Sequence, residues 1–437
     1  MNNKLKIILL SFWLMWMPLF ATCQSTGKED ALRKTASDFL QMYNTGDTAI
    51  YRNFLKQKVS AELLVDKFKR FGNTWNSIGA VEEKQINIPD QTHAEIMVQE
   101  KRYGSWWRFV IETDSNQNFI NRTVLPVQMP EVGLKSGNLS STQISERVTD
   151  YILNILKTDF SGNVYIKRGA RAIYSKSFGN APNGKKNDIT SEFGLASSAK
   201  MFTGIAVLQL EEKNKLSLSD KVSKIMPELK NPIYQKISIA QLLNHTSGLG
   251  DFFEDQSYQH GVTDMQDQAT IYGFIERTVP LFESGKDFRY SNTGYLLLGL
   301  IIERISGKDF KSYVEENIFH IAGMHTSKPG DGAGGGTSTV GDMVRFNDAL
   351  RDNKFMGKVA TEKFITFHTG NNYGYGSEHH LLGKEHIFGH SGGYIDQCIE
   401  INFYKKTRSL VIILSNSNPP YGHFLSNKIK ELMIRKS

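Results

Sequence analysis

The strand-like stretches of residues 143–437 lie at the two ends of that segment, with a long helical middle between them. NVYIKRG and RAIYSKSFG come first, joined by a tight turn around Gly169 and Ala170. QCIEINFY, alternating Ile399, Ile401 and Phe403, and the apolar run LVIILSN come last, before a closing helix FLSNKIKELMIRK. Most of residues 197–370 carry helix-like periodicity instead. A sheet here must be assembled from sequence-distant pieces and pack beside a helical region. That defines an α/β (α+β) layered domain with a cleft where its two parts meet.

At 437 residues the chain exceeds what one hydrophobic core usually serves, so a second domain is expected. Residues 28–72 read mainly as helix, interrupted at NTGD, and residues 75–128 as short β-rich runs such as AEIMVQEKRY, SWWRFVIET and INRTVLPVQM. Helices followed by a curved antiparallel sheet resemble the cone-shaped nuclear-transport-factor-2-like fold, and FLQMYNTGDTAIYRNF is similar to the opening of such domains. Trp106 and Trp107 are expected in its core or rim. PEVGLKSGNLSS has linker texture. The expected division is therefore an α+β domain over 27–130, a linker over 131–142 and the main domain over 143–437.

Lys4 and Lys6 precede the apolar run IILLSFWLMWMPLFA, too short to span a bilayer comfortably, and small residues follow around Cys23. Residues 1–23 thus read as an export signal, which points to the periplasm or cell envelope. Cleavage could fall before Gln24, or Cys23 could be lipidated, the one route by which this chain would be membrane-anchored. Cys398 is the only other cysteine, so no intramolecular disulfide is expected in the mature chain. The net charge of +7 is spread, with 15 basic and 14 acidic residues over 27–140 and 35 and 31 over 141–437. No segment is a basic block, so nucleic acid is not an expected partner. Oligomeric state is not readable from this pattern.

Two serines compete as nucleophile. GHSGG at 389–393 fits G-x-S-x-G, but a nucleophile elbow needs a helix directly after the serine. YIDQCIEINFYKKTRSLVIILSN follows instead, with strand periodicity and a hairpin, so Ser391 is disfavoured. Ser197 in LASSAK stands three residues before Lys200, at the start of a helical pattern. On a helix the two share a face, and the helix N-terminus favours a developing alkoxide. A desolvated lysine can lose enough basicity to take the hydroxyl proton. Tyr290 and Asn292 in RYSNTGY are two apart, so in an extended loop both could face one cleft. A tyrosine acidified by lysine can shuttle protons, and an asparagine can bind a substrate amide and steady the lysine. HSGG then supplies a cleft wall with a backbone N–H that can join that of Ser197 as an oxyanion hole.

SSAK at 197, YSN at 290 and HSG at 390, in that order, resemble the three motifs of the serine β-lactamase and penicillin-binding-protein superfamily. The likeness is nearest to its class C-like branch of esterases, D-amino-acid peptidases and β-lactamases. LLNHTSGL at 242–249 and GAGGGTSTVGDMVRF at 332–346 are similar to further family stretches. The resemblance implies a β-lactamase/transpeptidase-like fold and Ser197 as the acylated nucleophile. Lys200 would activate it and Tyr290 would act as general base and acid. Asn292 would orient the substrate, His390 would line the cleft, Gly392 would lie on its wall, and Gly393 and Ser197 would donate the oxyanion N–H groups. It implies a small-molecule or short-peptide substrate and no cofactor. His390 departs from the lysine of familiar class C β-lactamases. A largely neutral imidazole is a poor partner for a substrate carboxylate, which favours ester or D-peptide substrates over penicillins. The other class of reading is a catalytically weak protein that captures a penicillin or peptide in the same cleft.

His245 is expected to hold a loop by hydrogen bonding. GDGAGGG at 330–336 lacks the G-K-[ST] ending of a phosphate loop and reads as a flexible turn entering a helix capped by Thr339. His379, His380, His386 and His390 lack metal-binding spacing, so no metal is expected.

Overall fold

The computed structural model describes residues 27–58, 78–114, 119–255, 268–367 and 372–435. The export segment, with Cys23, and the last part of the 28–72 helical stretch lie outside them. The chain divides into two compact units, residues 1–98 with 108–125 and residues 99–107 with 126–437.

In the smaller unit, α1 (Gly27–Asn44) buries Leu32, Ala36, Phe39, Leu40 and Tyr43, the one-sided spacing of an amphipathic helix. Asp47, in the NTGD break, accepts the Ala49 N–H at 2.7 Å and starts α2 (Thr48–Lys58). Four strands follow in sequential order: β1 (Val81–Asn87), β2 (His93–Glu100), β3 (Trp106–Thr113) and β4 (Phe119–Pro126), of which the end of β2, the first two residues of β3 and the last of β4 fall in the larger unit. Along β2, Ala94, Ile96 and Val98 are buried at period two, and Phe119 stacks on Phe39 at 5.7 Å.

The larger unit opens with α3 (Ser141–Asp150), started by a capping box between Ser140 and Gln143. Its main sheet runs β10-β11-β12-β13-β5-β6, so the first and last strands of the domain are neighbours. These are β5 (Gly162–Arg168), β6 (Arg171–Phe178), β10 (Glu378–Leu382), β11 (Glu385–Tyr394), β12 (Gln397–Tyr404) and β13 (Leu410–Ser415). All pairings are antiparallel, and Lys167 of β5 stands opposite Leu410 of β13. The β-lactamase-like layered fold expected from the sequence is the fold observed.

In the helical part, α4 (Lys200–Glu212) is buried from Lys200 to Leu210 on every side, so no single apolar face could have been read from its periodicity. It packs against α5 (Asn292–Ser306). The glycine-rich segment departs from expectation. Residues 328–331 and 334–338 form a hairpin, β8 and β9, which joins β7 (Phe193–Gly194) in a three-stranded sheet of order β7-β9-β8. It is a framed strand pair rather than a flexible turn, because its glycines let backbones meet. A Cβ at Gly336 would fall 2.4 Å from the Lys328 carbonyl oxygen. Thr339 caps the next helix, α6 (Val340–Arg351), by accepting the Asp342 N–H at 3.2 Å.

Candidate active site

Ser197 sits in a 3₁₀ turn, Ala196–Ala199, that leads directly into α4. By helix geometry the first amides of such a turn lack intrahelical partners. Ala196 is held at φ +45°, a strained conformation for a residue with a side chain, immediately before Ser197. The turn is fixed from two sides. Leu195 N–H bonds the Gly336 carbonyl at 3.1 Å, and a Cβ on Gly334 would lie 2.8 Å from the Ala196 oxygen.

Lys200 is 0% exposed, and its Nζ meets three oxygens. They are Ser197 Oγ at 3.4 Å, Asn292 Oδ1 at 2.7 Å and, in a very short contact, the Ala333 carbonyl. Burial pushes its pKa down to about 7, against the partial support of Asp331, Asp251 and Glu378. The oxygens of Asn292 and Ala333 can only accept. A neutral amine therefore gives its two N–H bonds to them and turns its lone pair to the Ser197 hydroxyl.

Asn292 is the first residue of α5, after the N-cap Ser291. Ser291 is extended, so Tyr290 and Asn292 do reach the same region, although the segment is a helix cap rather than a free loop. Asp251 Oδ2 accepts both the Asn292 N–H at 2.9 Å and Nδ2 at 2.8 Å, which turns Oδ1 toward Lys200. No motif marked Asp251 in the sequence.

The Lys200 Nζ lies 5.0 Å from the Tyr290 ring centroid. The Tyr290 phenol feels the Ser197 hydroxyl, but its buried oxygen closes no hydrogen bond. Burial drives its pKa well above the ordinary value, so the resting group is the neutral phenol. The lysine-acidified tyrosine expected from the sequence is not what this burial produces.

His245 does hold a loop. It adopts φ +60°, stacks on Tyr290 at 4.2 Å, and its Nδ1 accepts the Ser291 N–H at 3.1 Å. His390 lies one layer behind the cleft, 2% exposed, with Nε2 2.8 Å from the Tyr373 hydroxyl and Nδ1 on the Ser391 carbonyl. Burial lowers its pKa, with Glu378 opposing, so it stays neutral and does not reach the cavity as a substrate contact. Ser391 stands in the middle of β11 and donates to Glu378 Oε1 at 2.7 Å, in no strand-to-helix elbow. Gly392 is likewise behind the wall, where a Cβ would sit 2.5 Å from the Leu195 oxygen. His379 and His386 bond each other at 2.9 Å, and among the described residues no group of three His, Cys, Asp or Glu is arranged to hold a metal.

Ser197, Asn292 and Gly393 open onto a cavity of about 340 Å³, walled also by Phe252, Phe253, Tyr394, Asp331 and Gln397. Ser197 and Gly393 thus share a wall, as an oxyanion pair requires. Fold and site together define a serine hydrolase built on the β-lactamase scaffold.

The β-lactamase family model matches residues 160–328, which include Ser197, Lys200, Tyr290 and Asn292 and stop short of His390. A penicillin-binding protein of Bacillus subtilis (strain 168) is 30% identical over 314 residues, covering 60% of this chain and 69% of that one. The crystal structure of a penicillin-binding protein from Bacillus halodurans superposes with a TM-score of 0.58 at 26% identity, covering 68% of this chain and all of that one. D-amino acid amidase from Ochrobactrum anthropi shares the fold, with a TM-score of 0.56 at 20% identity over 66% of this chain and 97% of its own. The chain belongs to the β-lactamase family and is a serine hydrolase of it.

Proposed function

We propose that the protein is an exported hydrolase that cleaves ester or amide bonds of small acyl or D-amino-acid substrates through an acyl-enzyme on Ser197. The observation that carries this is the Lys200 amine, buried, near neutrality and aimed at Ser197 by two oxygens that cannot donate. Ser197 Oγ attacks the substrate carbonyl carbon while its proton passes to Lys200 Nζ. The developing oxyanion meets the Ser197 and Gly393 amides. Collapse breaks the acyl bond, and the departing nitrogen or oxygen takes a proton relayed through the Tyr290 phenol. Water then hydrolyses the ester and frees Ser197.

The cavity supports neutral or amine-bearing substrates over carboxylate-bearing ones. Its described lining has one ionisable acid, Asp331, no lysine, arginine or histidine, and apolar faces from Phe252 and Phe253. A fold neighbour that acts on D-amino acid amides fits the same preference. Lys4, Lys6 and the apolar run after them support export, with Cys23 as the anchor if it is lipidated. The helices and sequential sheet of the smaller unit suit a nuclear-transport-factor-2-like domain.

A fluorophosphonate probe should label the protein at Ser197 and lose that label in Ser197→Ala. Parallel assays with nitrophenyl esters, D-alanyl amides and nitrocefin should show turnover of the first two classes above the third. Absence of labelling, or labelling that persists in Ser197→Ala, would leave only capture of ligand in the cleft.

A further inference from the structure

A second cavity, of about 380 Å³, lies within the larger unit on residues that take no part in the Ser197 site. Trp106, Trp107, Phe424, Pro419 and Pro420 give it flat apolar walls, the surface that small-molecule sites use. Its other end is polar, and the side-chain acceptors there are already taken. One Glu400 oxygen holds His423 Nδ1, and the other accepts from Ser426 Oγ at 2.7 Å and Asn402 Nδ2 at 3.1 Å. Gln128 Oε1 accepts from the Lys430 ammonium, and Asn427 Oδ1 accepts the Met129 N–H at 3.3 Å. Ser105 Oγ accepts from Trp107 Nε1 at 2.9 Å and donates to Glu100.

What the polar end still offers is donors: the Gln128 and Asn427 amide groups and the second ring nitrogen of His423. Glu400 holds Nδ1, and although burial disfavours the His423 cation the adjoining carboxylate outweighs it and raises the pKa, which favours a proton on that second nitrogen. Three N–H donors at one end of an aromatic slot call for an anionic acceptor on an apolar body.

We propose that this cavity is a second ligand site, specific for a small carboxylate on an aromatic or branched apolar body. The ring packs on the tryptophan walls, and the carboxylate takes the His423, Asn427 and Gln128 donors.

The test is titration of the purified protein with phenylacetate and with neutral phenylacetamide, followed by tryptophan fluorescence and calorimetry. Phenylacetate should bind saturably and equally well in the unaltered protein and in Ser197→Ala. Phenylacetamide should bind about tenfold more weakly, the loss of one charge-assisted bond. His423→Gln should bring the acid down to the affinity of the amide while leaving ester turnover intact, and Trp107→Leu should weaken both probes. Saturation-transfer NMR on the unaltered protein, from indole protons to phenylacetate, gives the same answer if a variant does not fold. The proposal fails if neither probe saturates, if His423→Gln leaves the acid-to-amide ratio unchanged, if no indole transfer is seen, or if acylating Ser197 abolishes binding.

Discussion

Replacing Lys200 by methionine separates the chemistry of the amine from its cost to folding. Burial moves its pKa from an ordinary 10.5 to about 7. At about 1.4 kcal/mol per pK unit, the folded protein disfavours the ammonium by about 5 kcal/mol. The sign follows from proton counting. Between pH about 7 and 10.5 the unfolded chain holds a proton on this lysine that the folded chain has lost, so stability rises with pH across that window. Below about pH 7 both states are protonated and the whole penalty is present. Lys200→Met removes the titration but strands the Asn292 and Ala333 oxygens, at about 1–3 kcal/mol each. That second cost does not depend on pH. The stability difference, mutant minus unaltered protein, should therefore fall by most of 5 kcal/mol from about pH 6 to about pH 10, read by urea denaturation at each pH. Activity should show the same group. In the unaltered protein kcat/KM should rise with pH through a midpoint near 7, and the mutant should lose about 100-fold to 10,000-fold, the usual worth of a positioned base. An acid limb centred above about pH 9, or a stability difference that does not vary with pH, would mean that the lysine rests as a cation and would refute the reasoning.

Asp251→Asn removes a negative charge that supports the ammonium while keeping an acceptor for Asn292. The acid limb of kcat/KM should move to lower pH, and an unmoved limb would deny Asp251 its electrostatic part. Ser391→Ala should keep activity within about threefold and cost about 1 kcal/mol of stability, since it removes only a half-exposed bond to Glu378. A loss of more than about 100-fold would return Ser391 to contention as nucleophile.

The legible parts of the site were those whose partners are spaced by local geometry. Ser197 and Lys200 meet because they are three apart on a helical segment, and Tyr290 and Asn292 both approach Lys200 because only one extended residue separates them. The order of strand-like and helix-like stretches likewise carried the sheet of the main domain. Groups that act through position alone left no trace. Ala333 contributes a backbone oxygen, which any residue would supply, and its hairpin hides because glycines show no strand alternation. Asp251 is one acid in an ordinary loop, and only the fold brings it under Asn292. His390 looked like a cleft residue because its motif neighbours are. Strand alternation turns it to the opposite side from Gly393, into contact with Tyr373.

The pairing of β5 with β13 also governs the order of events when the chain is made. Lys167 waits for Leu410 before the centre of the sheet can zip, so the core of the larger unit cannot close until the residues of β13 have been made. Until then β5 and β6 form a two-stranded ribbon with an unfilled edge, which is poorly stable alone and vulnerable to mispairing. The main sheet of the larger unit therefore stays incomplete until β13 has been made. Truncation before residue 410 should leave that edge open, an aggregation hazard rather than a smaller enzyme.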